Sequence, residues 1–286
     1  MNTPRENVTT HEYLWVTVVV AGERPSTLDL VQHGQRSPWP ATRRLRVATS
    51  LEAAGWRLEA RTESVTPEAP AASNETLTVL SELAVAEHLY RMIHALVSQE
   101  ADAQGWGRLH AAAVDIGDRR VLVAGPSGAG KTTMARELAR RGHALQSDEA
   151  VLIKGGLSVG LPRRIHIKES PDTPLISPSE DHDVVRLDYA PVILAIPPGP
   201  AGRALTVRPI HAIVLLGERG HGDQQLELRR ASSSEAFVAL TSEASWFSPG
   251  ALAVSTVSQV LQAVPVWHLS GHEALSGADA LEGLAR

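Results

Sequence analysis

The sequence predicts an α/β protein: a mixed sheet with flanking helices around a phosphate-binding loop, preceded by a small β-rich N-terminal region. Three observations support this fold class. A glycine-rich octapeptide, residues 125–132, lies between an apolar strand and an amphipathic helix. Two apolar segments before it are joined by Gly117-Asp118, which is typical of a tight hairpin. Residues 11–66 contain short β-like segments separated by turn residues.

The N-terminal region is expected to occupy residues 1–75 and the larger domain residues 76–286. Candidate strands cover 13–21, 45–50 and 56–61, because β-branched and apolar residues cluster there between Pro- and Ser-containing breaks. A polar stretch, 62–75, has the composition of a linker. Apolar residues near helical spacing then predict a helix over 77–98.

In the larger domain, the hairpin is expected to consist of strands at 111–116 and 120–124, and the helix after the loop to cover 132–141, closed by Gly142. Residues 155–209 are rich in Pro and Gly, with an exposed loop expected at 177–183. The remaining apolar segments predict strands at 144–146, 150–153, 212–217, 226–228 and 264–269, and helices at 234–241, 252–263 and 277–285.

Composition excludes several classes of function. The 286 residues carry a net charge of −5 and no dense basic run, so nucleic-acid binding is not expected. Without any cysteine, the chain has no disulfide, thiolate metal site or cysteine nucleophile. The N-terminus lacks the apolar core of a signal peptide, and the apolar run at 15–21 is too short to span a bilayer. A cytoplasmic protein with no membrane partner is therefore predicted, and a homo-oligomer is left open.

The octapeptide has the spacing Gly-x-x-x-x-Gly-Lys-Thr of phosphate-binding loops. Glycines permit the tight backbone turns, and the following helix directs the positive end of its dipole at the phosphates. Lys131 is expected to reach the β- and γ-phosphates, and the Thr132 hydroxyl to coordinate Mg²⁺. The residues expected to bind ATP are Gly125, Ser127, Gly128, Ala129, Gly130, Lys131, Thr132 and Thr133.

Several families with this loop are disfavoured by other features of the chain. Adenylate-kinase-type enzymes carry the loop near the N-terminus, whereas more than a hundred residues precede it here. The Leu-Ser-Gly-Gly-Gln signature of transporter ATPases and the Asn-Lys-x-Asp motif of GTPases are both missing. The loop therefore predicts nucleotide binding but leaves the class of protein to its neighbours.

Those neighbours resemble the catalytic domain of HPr kinase/phosphorylase over about residues 107–154. The pair His110-Ala111 is similar to a His-Gly pair of that family at the same distance before the loop, and a hairpin feeds the loop in both. Arg141-Gly142-His143 is similar to the family's Arg-Gly-His, and Asp148-Glu149 to its paired acidic residues. ATP-dependent phosphoenolpyruvate carboxykinases share the loop and the acidic pair. The family's Glu-Arg-Gly-x-Gly run, tied to its phosphorylase activity, has no counterpart in this chain.

The resemblance implies a role for each matching residue. Asp148 matches the aspartate that accepts the proton of a serine hydroxyl, and Glu149 the second acidic residue, linked to the metal. Mg²⁺ would be held by Thr132, Glu149 and Asp148. His110 would contact the γ-phosphate or orient the base, although a histidine at the start of a strand is equally often structural. Adjacent acids placed near a γ-phosphate suit phosphoryl transfer, which needs charge neutralisation and a base.

The predicted function is an ATP-dependent kinase that phosphorylates a hydroxyl, most readily a serine, of a peptide or small protein. The chain looks like divergent members of the family found with peptide-modification systems, including kinases that phosphorylate the C-terminal serine of lasso-peptide precursors. Residues 155–210 would shape the acceptor site. Two alternatives stay open: a kinase for free serine or a related metabolite, and a non-catalytic ATP sensor.

Overall fold

The computed structural model describes residues 7–22, 37–53, 55–65, 73–79, 81–161, 165–168, 184–186, 192–195, 205–218, 225–245 and 250–286. Over these residues the chain forms strands in three sheets, together with flanking helices. The predicted α/β class, with a mixed sheet and a β-rich N-terminal region, is confirmed.

The N-terminal sheet has five strands in the order β1-β2-β3-β4-β5. They are β1 (Asn7–Tyr13), β2 (Val16–Gly22), β3 (Arg43–Glu52), β4 (Gly55–Ser64) and β5 (Ser73–Val79). The pair β2–β3 is parallel and the other described pairs are antiparallel. The single strand predicted at 13–21 is divided in two by a turn at Leu14 and Trp15, where Leu14 adopts a left-handed conformation (φ 50°).

Two predictions at the end of this region are wrong. The stretch 62–75 is not a linker throughout, because β4 continues to Ser64 and β5 begins at residue 73. The first helix does not begin at Leu77, which pairs with Leu58 of β4 instead. Cross-strand pairing with β4 outweighs the helical spacing of the apolar residues at this point. Residues 66–72 lie outside the described residues, and residue 75 falls within β5, so the division into two domains stays a prediction.

Helix α1 (Glu82–Ala103) joins the N-terminal sheet to the rest of the molecule. It begins after Ser81, whose side chain accepts a hydrogen bond from a first-turn amide. Near its end, Arg43 Nε donates to Glu100 over 2.6 Å, and Arg108 Nη2 donates to Asp102 over 3.1 Å. Arg43 belongs to β3, whereas Arg108 belongs to the second sheet. The pKa of Arg108 is lowered by burial, which its contact with Asp102 partly offsets.

The second sheet carries the glycine loop. Its strands are β6 (Gly107–Ile116), β7 (Arg119–Ala124), β8 (Ala144–Ser147), β9 (Ala150–Lys154), β10 (Leu157–Gly160), β14 (Arg208–Leu216), β15 (Glu227–Arg230) and β16 (Val266–Ser270). Their order is β10-β9-β6-β7-β14-β16-β15, with β8 also paired to β6 and β10 to β14. The three strands β7, β14 and β16 run parallel, and the other pairs are antiparallel. The predicted hairpin is confirmed, and its turn contains Gly117 with φ 63°.

The Pro- and Gly-rich region contains more strand than expected. After β10, it forms a small antiparallel sheet in the order β11-β13-β12. These strands are β11 (Ile165–Lys168), β12 (Val184–Arg186) and β13 (Val192–Ala195). The loop predicted at 177–183, and most of the region expected to shape the acceptor site, lie outside the described residues.

Helix α2 (Lys131–Arg140) follows the glycine loop, as predicted, and Gly142 beyond its end has φ 92°. The later helices are α3 (Ser233–Ser245), α4 (Gly250–Ala263) and α5 (Ala274–Leu284). Each lies where a helix was predicted, but α3 continues four residues further. Across the described part of the chain, none of the helices combines the length and apolar character needed to cross a membrane.

Candidate active site

The glycine loop lies where three parallel strands end. It follows Ala124, the last residue of β7, which pairs with Leu215 near the end of β14. Leu216 in turn pairs with Leu269 of β16. In α/β sheets, ligands bind in the crevice beyond the carboxyl ends of parallel strands. The strand arrangement therefore places the loop at the edge of the sheet where a nucleotide is expected.

Glycine is required at several positions of the loop. Gly125, Gly128 and Gly130 have φ values of 144°, 87° and 103°, which side chains rarely adopt. A Cβ on Gly125 would lie 2.8 Å from the carbonyl oxygen of Leu216, whereas one on Gly128 would meet no atom within 4 Å. Gly128 thus borders open space. Gly130 is the residue before α2, and it has no side chain that could accept a hydrogen bond from the first amides of the helix. These amides are therefore not capped by the side chain of that residue, as in helix N-termini that bind phosphate.

The side chain of Lys131 lies along the loop and is 7% exposed. Its Nζ donates to the carbonyl oxygens of Gly125 and Pro126 over 2.5 and 3.2 Å. Of the other residues predicted to bind ATP, Ala129 is buried, Thr132 is half-buried, and Ser127 and Thr133 are exposed. Thr132, in the first turn of α2, therefore remains partly accessible next to the lysine.

Asp148 and Glu149 occupy the turn between β8 and β9. The Ser147 hydroxyl donates to Ala150 O over 2.8 Å and accepts from the Ala150 amide over 3.2 Å, which fixes the turn from inside. Asp148 is 5% exposed and Glu149 is half-buried. Both neighbouring strands pair with β6, so this acidic turn lies directly across from the middle of β6.

One stretch of β6 lies between the glycine loop and the acidic turn. On one side, Ala111 pairs with Ala124, the residue before Gly125. On the other side, the Ala111 amide donates to Glu149 O over 3.1 Å, and His110 pairs with Ala150. Adjacent strands lie about 4.8 Å apart, so the loop and the acidic turn flank His110-Ala111 at one edge of the sheet. The four positions predicted for catalysis, Lys131, Asp148, Glu149 and His110, are thus brought to one region.

Glu243 is a residue of this region that sequence reasoning missed. His110 Nδ1 and Glu243 Oε2 lie 2.8 Å apart, within hydrogen-bond distance, although the two residues are 133 positions apart in sequence. Glu243 is 6% exposed and lies in the last turn of α3. The prediction ended this helix at Thr241, two residues before Glu243 and four before the observed end of α3. A signal was available, because Glu243 occupies the i+7 position after Ala236 in a stripe of buried residues.

The start of α3 is held by a capping box. The Ser232 amide donates to Glu235 Oε2 over 2.9 Å, and the Glu235 amide donates to the Ser232 hydroxyl over 3.3 Å. Arg229 of β15 also donates to the Glu235 carboxylate, over 2.7 Å. Hydrogen bonds from Arg229, and then from Ser232, hold the pKa of Glu235 well below its ordinary value. These contacts anchor the start of α3 and so help to set the position of its last turn relative to β6.

His272 is a second residue that the sequence did not reveal. It follows β16, is 2% exposed, and its Nε2 donates to Ala129 O in the glycine loop over 3.1 Å. The loop is thus supported from the β16 side as well as from β7.

Arg141 and His143, which belong to the motif shared with the resembled family, lie after the end of α2. Arg141 Nη1 pairs with Asp279 over 2.6 Å, and His143 pairs with Glu282 over 2.8 Å. These contacts join the end of α2 to α5.

Three side chains of this region, Thr132, Asp148 and Glu149, carry oxygens that could hold a metal ion. Among the described residues, no group of three or more His, Asp or Glu side chains is placed to hold a metal ion. Mg²⁺ in phosphoryl-transfer sites is commonly bound by one or two protein oxygens together with the phosphates. The residues available for this are the Thr132 hydroxyl and the carboxylates of the acidic turn, and the residues available for the phosphates are those of the loop.

Comparison with known proteins gives a short but close match. No protein-family model matches the chain. A curated HPr kinase/phosphorylase from Clostridium beijerinckii is 49% identical over 47 residues, which cover 16% of this chain and 16% of that protein. The matched stretch is therefore far shorter than the relative, and the activity, substrates and partners of the whole protein are matters for proposal.

The chain also matches solved structures. The structure of the Hpr(Ser) kinase/phosphatase from Coxiella burnetii covers 63% of this chain and 93% of its own, at 13% sequence identity and a TM-score of 0.32. A TM-score this low carries no information on function. Over those 47 residues the chain is similar to HPr kinase/phosphorylase, which is the family that its motifs resemble.

Proposed function

We propose that the protein is an ATP-dependent kinase that transfers the γ-phosphate of ATP to a hydroxyl, in particular a serine hydroxyl of a peptide or small protein. One observation carries the proposal: the loop that would bind the phosphates and the acidic turn flank the same residue, Ala111. A base within reach of a hydroxyl beside the γ-phosphate is what phosphoryl transfer requires.

Each residue has a part in the proposed reaction. The loop amides and Lys131 bind the phosphates, and Thr132 with Glu149 and Asp148 provides oxygen ligands for the metal. Mg²⁺, when bound, neutralises charge on the phosphates. The Asp148 carboxylate accepts the proton of the acceptor hydroxyl as its oxygen forms a bond to the γ-phosphorus. The bond from that phosphorus to the bridging oxygen breaks, and ADP leaves with the electron pair.

Labelled ATP can test this reaction. The acceptors are peptides ending in serine, the same peptides with alanine in its place, and free serine. We expect transfer to the serine peptides, reduced about 10²- to 10⁴-fold in Asp148→Asn, because that is the usual contribution of a general base. Asp118→Asn is the matched control, since Asp118 lies in the exposed turn of the β6–β7 hairpin, at the opposite end of these strands.

Three outcomes would count against the proposal. Equal transfer by Asp148→Asn and wild type would remove Asp148 from the role of base. Transfer to free serine but to none of the peptides would indicate a small-molecule kinase. ATP binding that is lost in Lys131→Ala, without transfer to any acceptor, would indicate a sensor.

A further inference from the structure

We propose that Glu243 is a positioning residue that fixes the tautomer and orientation of His110 for the transfer step. The inference rests on the proposed function and adds to it a residue from a helix remote in sequence. An ionised carboxylate only accepts hydrogen bonds. The 2.8 Å contact with Glu243 Oε2 therefore places a proton on Nδ1 of His110 and directs Nε2 away from α3.

Burial separates this contact from an ordinary surface ion pair. The side chains of Glu243 and His110 are 8% and 19% exposed. Glu243 also lies in the buried stripe of α3, with Leu240 and Ala244, which pack against Leu109 and Ala111 of β6. A buried carboxylate in an apolar stripe is costly unless it is paired. Its partner is a residue beside both the glycine loop and the acidic turn.

Together, the two residues can supply a positively charged hydrogen-bond donor, the His110 ring, whose charge is balanced by the Glu243 carboxylate. When Nε2 also carries a proton, the ring is positive and the Glu243 carboxylate lies against it. Carboxylate–histidine pairs in other enzymes hold the ring in one tautomer and stabilise its protonated form in the same way. His110 then donates to an oxygen of the transferring group, while the proton of the acceptor still goes to Asp148.

Glu243→Leu is expected to lower both stability and catalysis, and the two effects can be measured separately. It removes one partner of the pair and leaves the Nδ1 proton of His110 without its acceptor, which costs stability. We therefore expect the melting temperature to fall, and kcat is compared at a temperature at which both proteins are fully folded. In metal sites, loss of the outer partner of a ligating histidine commonly costs about 10- to 100-fold in affinity or activity, and we take the same range for a histidine that contacts the transferring group. We expect a loss of this size in kcat, with KM for ATP unchanged, because the loop itself is intact.

Nitrogen-15 spectra of histidine-labelled protein provide a readout that a structural role would not move. In the wild type, His110 should show a proton on Nδ1, and its signals are assigned from their loss in His110→Gln. In Glu243→Leu, the ring should move toward the Nε2-protonated tautomer that free imidazoles prefer. Glu243→Gln keeps an acceptor oxygen near the ring, so a smaller loss of kcat is expected. Glu59→Gln, at an exposed position of β4, is the control and should change neither readout.

The two proposals fail separately. If the wild type transfers phosphate to no acceptor, the proposed function fails, while the spectra still decide whether Glu243 sets the tautomer. An unchanged His110 tautomer in Glu243→Leu would overturn the positioning role. So would a kcat within about twofold of wild type, or a loss of activity that follows the loss of folded protein.

Discussion

Asp115→Asn should destabilise the fold strongly, because Asp115 is the counter-charge of a completely buried arginine, Arg120. Nε and Nη2 of Arg120 donate to the two carboxylate oxygens over 2.7 and 3.0 Å. Nη1 donates to the carbonyl oxygens of Ser158 and Thr206 over 2.9 and 2.8 Å. The cluster therefore ties the β6–β7 hairpin, which carries the glycine loop, to β10 and to the chain entering β14.

The size of the effect follows from the burial. In Asp115→Asn, the guanidinium keeps its bonds to the two carbonyl oxygens but loses the carboxylate that balances its charge. Removing one partner of a buried pair costs about 3–5 kcal/mol, whereas an exposed pair contributes about 0–1 kcal/mol. The free energy of unfolding falls by about 3 kcal/mol for each molar of urea. The urea concentration at the unfolding midpoint of Asp115→Asn should therefore be lower than that of the wild type by about 1–1.7 M.

Urea unfolding followed by tryptophan fluorescence measures this shift, since the chain has six tryptophans. Glu59→Gln is the matched control: Arg57 Nη2 donates to Glu59 over 2.6 Å, as short as the buried contact, but the side chains are 42% and 54% exposed. Its midpoint should move by no more than about 0.3 M. Equal shifts in the two variants would refute the reasoning, because burial is the property that distinguishes the two pairs.

Two further predictions concern the loop and the helix that follows it. Gly125→Ala should abolish ATP binding measured by calorimetry, because the added Cβ would lie 2.8 Å from a carbonyl oxygen at the end of β14. Gly117→Ala is the control: its φ is also positive, but the added Cβ would meet open space, so this variant should bind ATP as the wild type does. Glu137→Gln should flatten the acid dependence of the melting temperature at pH values below about 4.5. Hydrogen bonds from Arg140, and then Arg141, lower the pKa of Glu137 from its ordinary value of 4.5. The ionised carboxylate therefore stabilises the fold above pH 4.5, and this stabilisation is lost as the pH falls through the lowered pKa of the folded protein. An equally steep acid dependence in the variant would contradict this reasoning.

The elements around the loop could be predicted from sequence because their signals are local. Gly117-Asp118 between two apolar strands determines a hairpin, and Gly142 ends a helix whose periodicity is clear. The acidic turn was predicted beside the loop through a resemblance to a known family. Its position is explained by β6, which pairs with β7 on one side and with β8 and β9 on the other.

The errors arose where tertiary contacts outweigh local pattern. Leu77 has apolar neighbours at helical spacing, but it pairs with Leu58 of β4, and the helix begins only after the cap at Ser81. The strand predicted at 13–21 was divided because Leu14 takes a left-handed conformation, which is rare for a leucine. Neither the pairing partner of β5 nor the turn before β2 can be read from the residues nearby.

Glu243 shows why a site can extend beyond what its motifs indicate. The helix predicted from sequence ended at residue 241, yet the buried stripe of α3 continues through 243 and 244. A carboxylate at such a position is unfavourable on its own. Its physical reason is His110, which is 133 positions away and half-buried beside the glycine loop. A charged residue that interrupts an apolar helical stripe is therefore a reason to look for a site, but the kind of site becomes clear only once the partner is known.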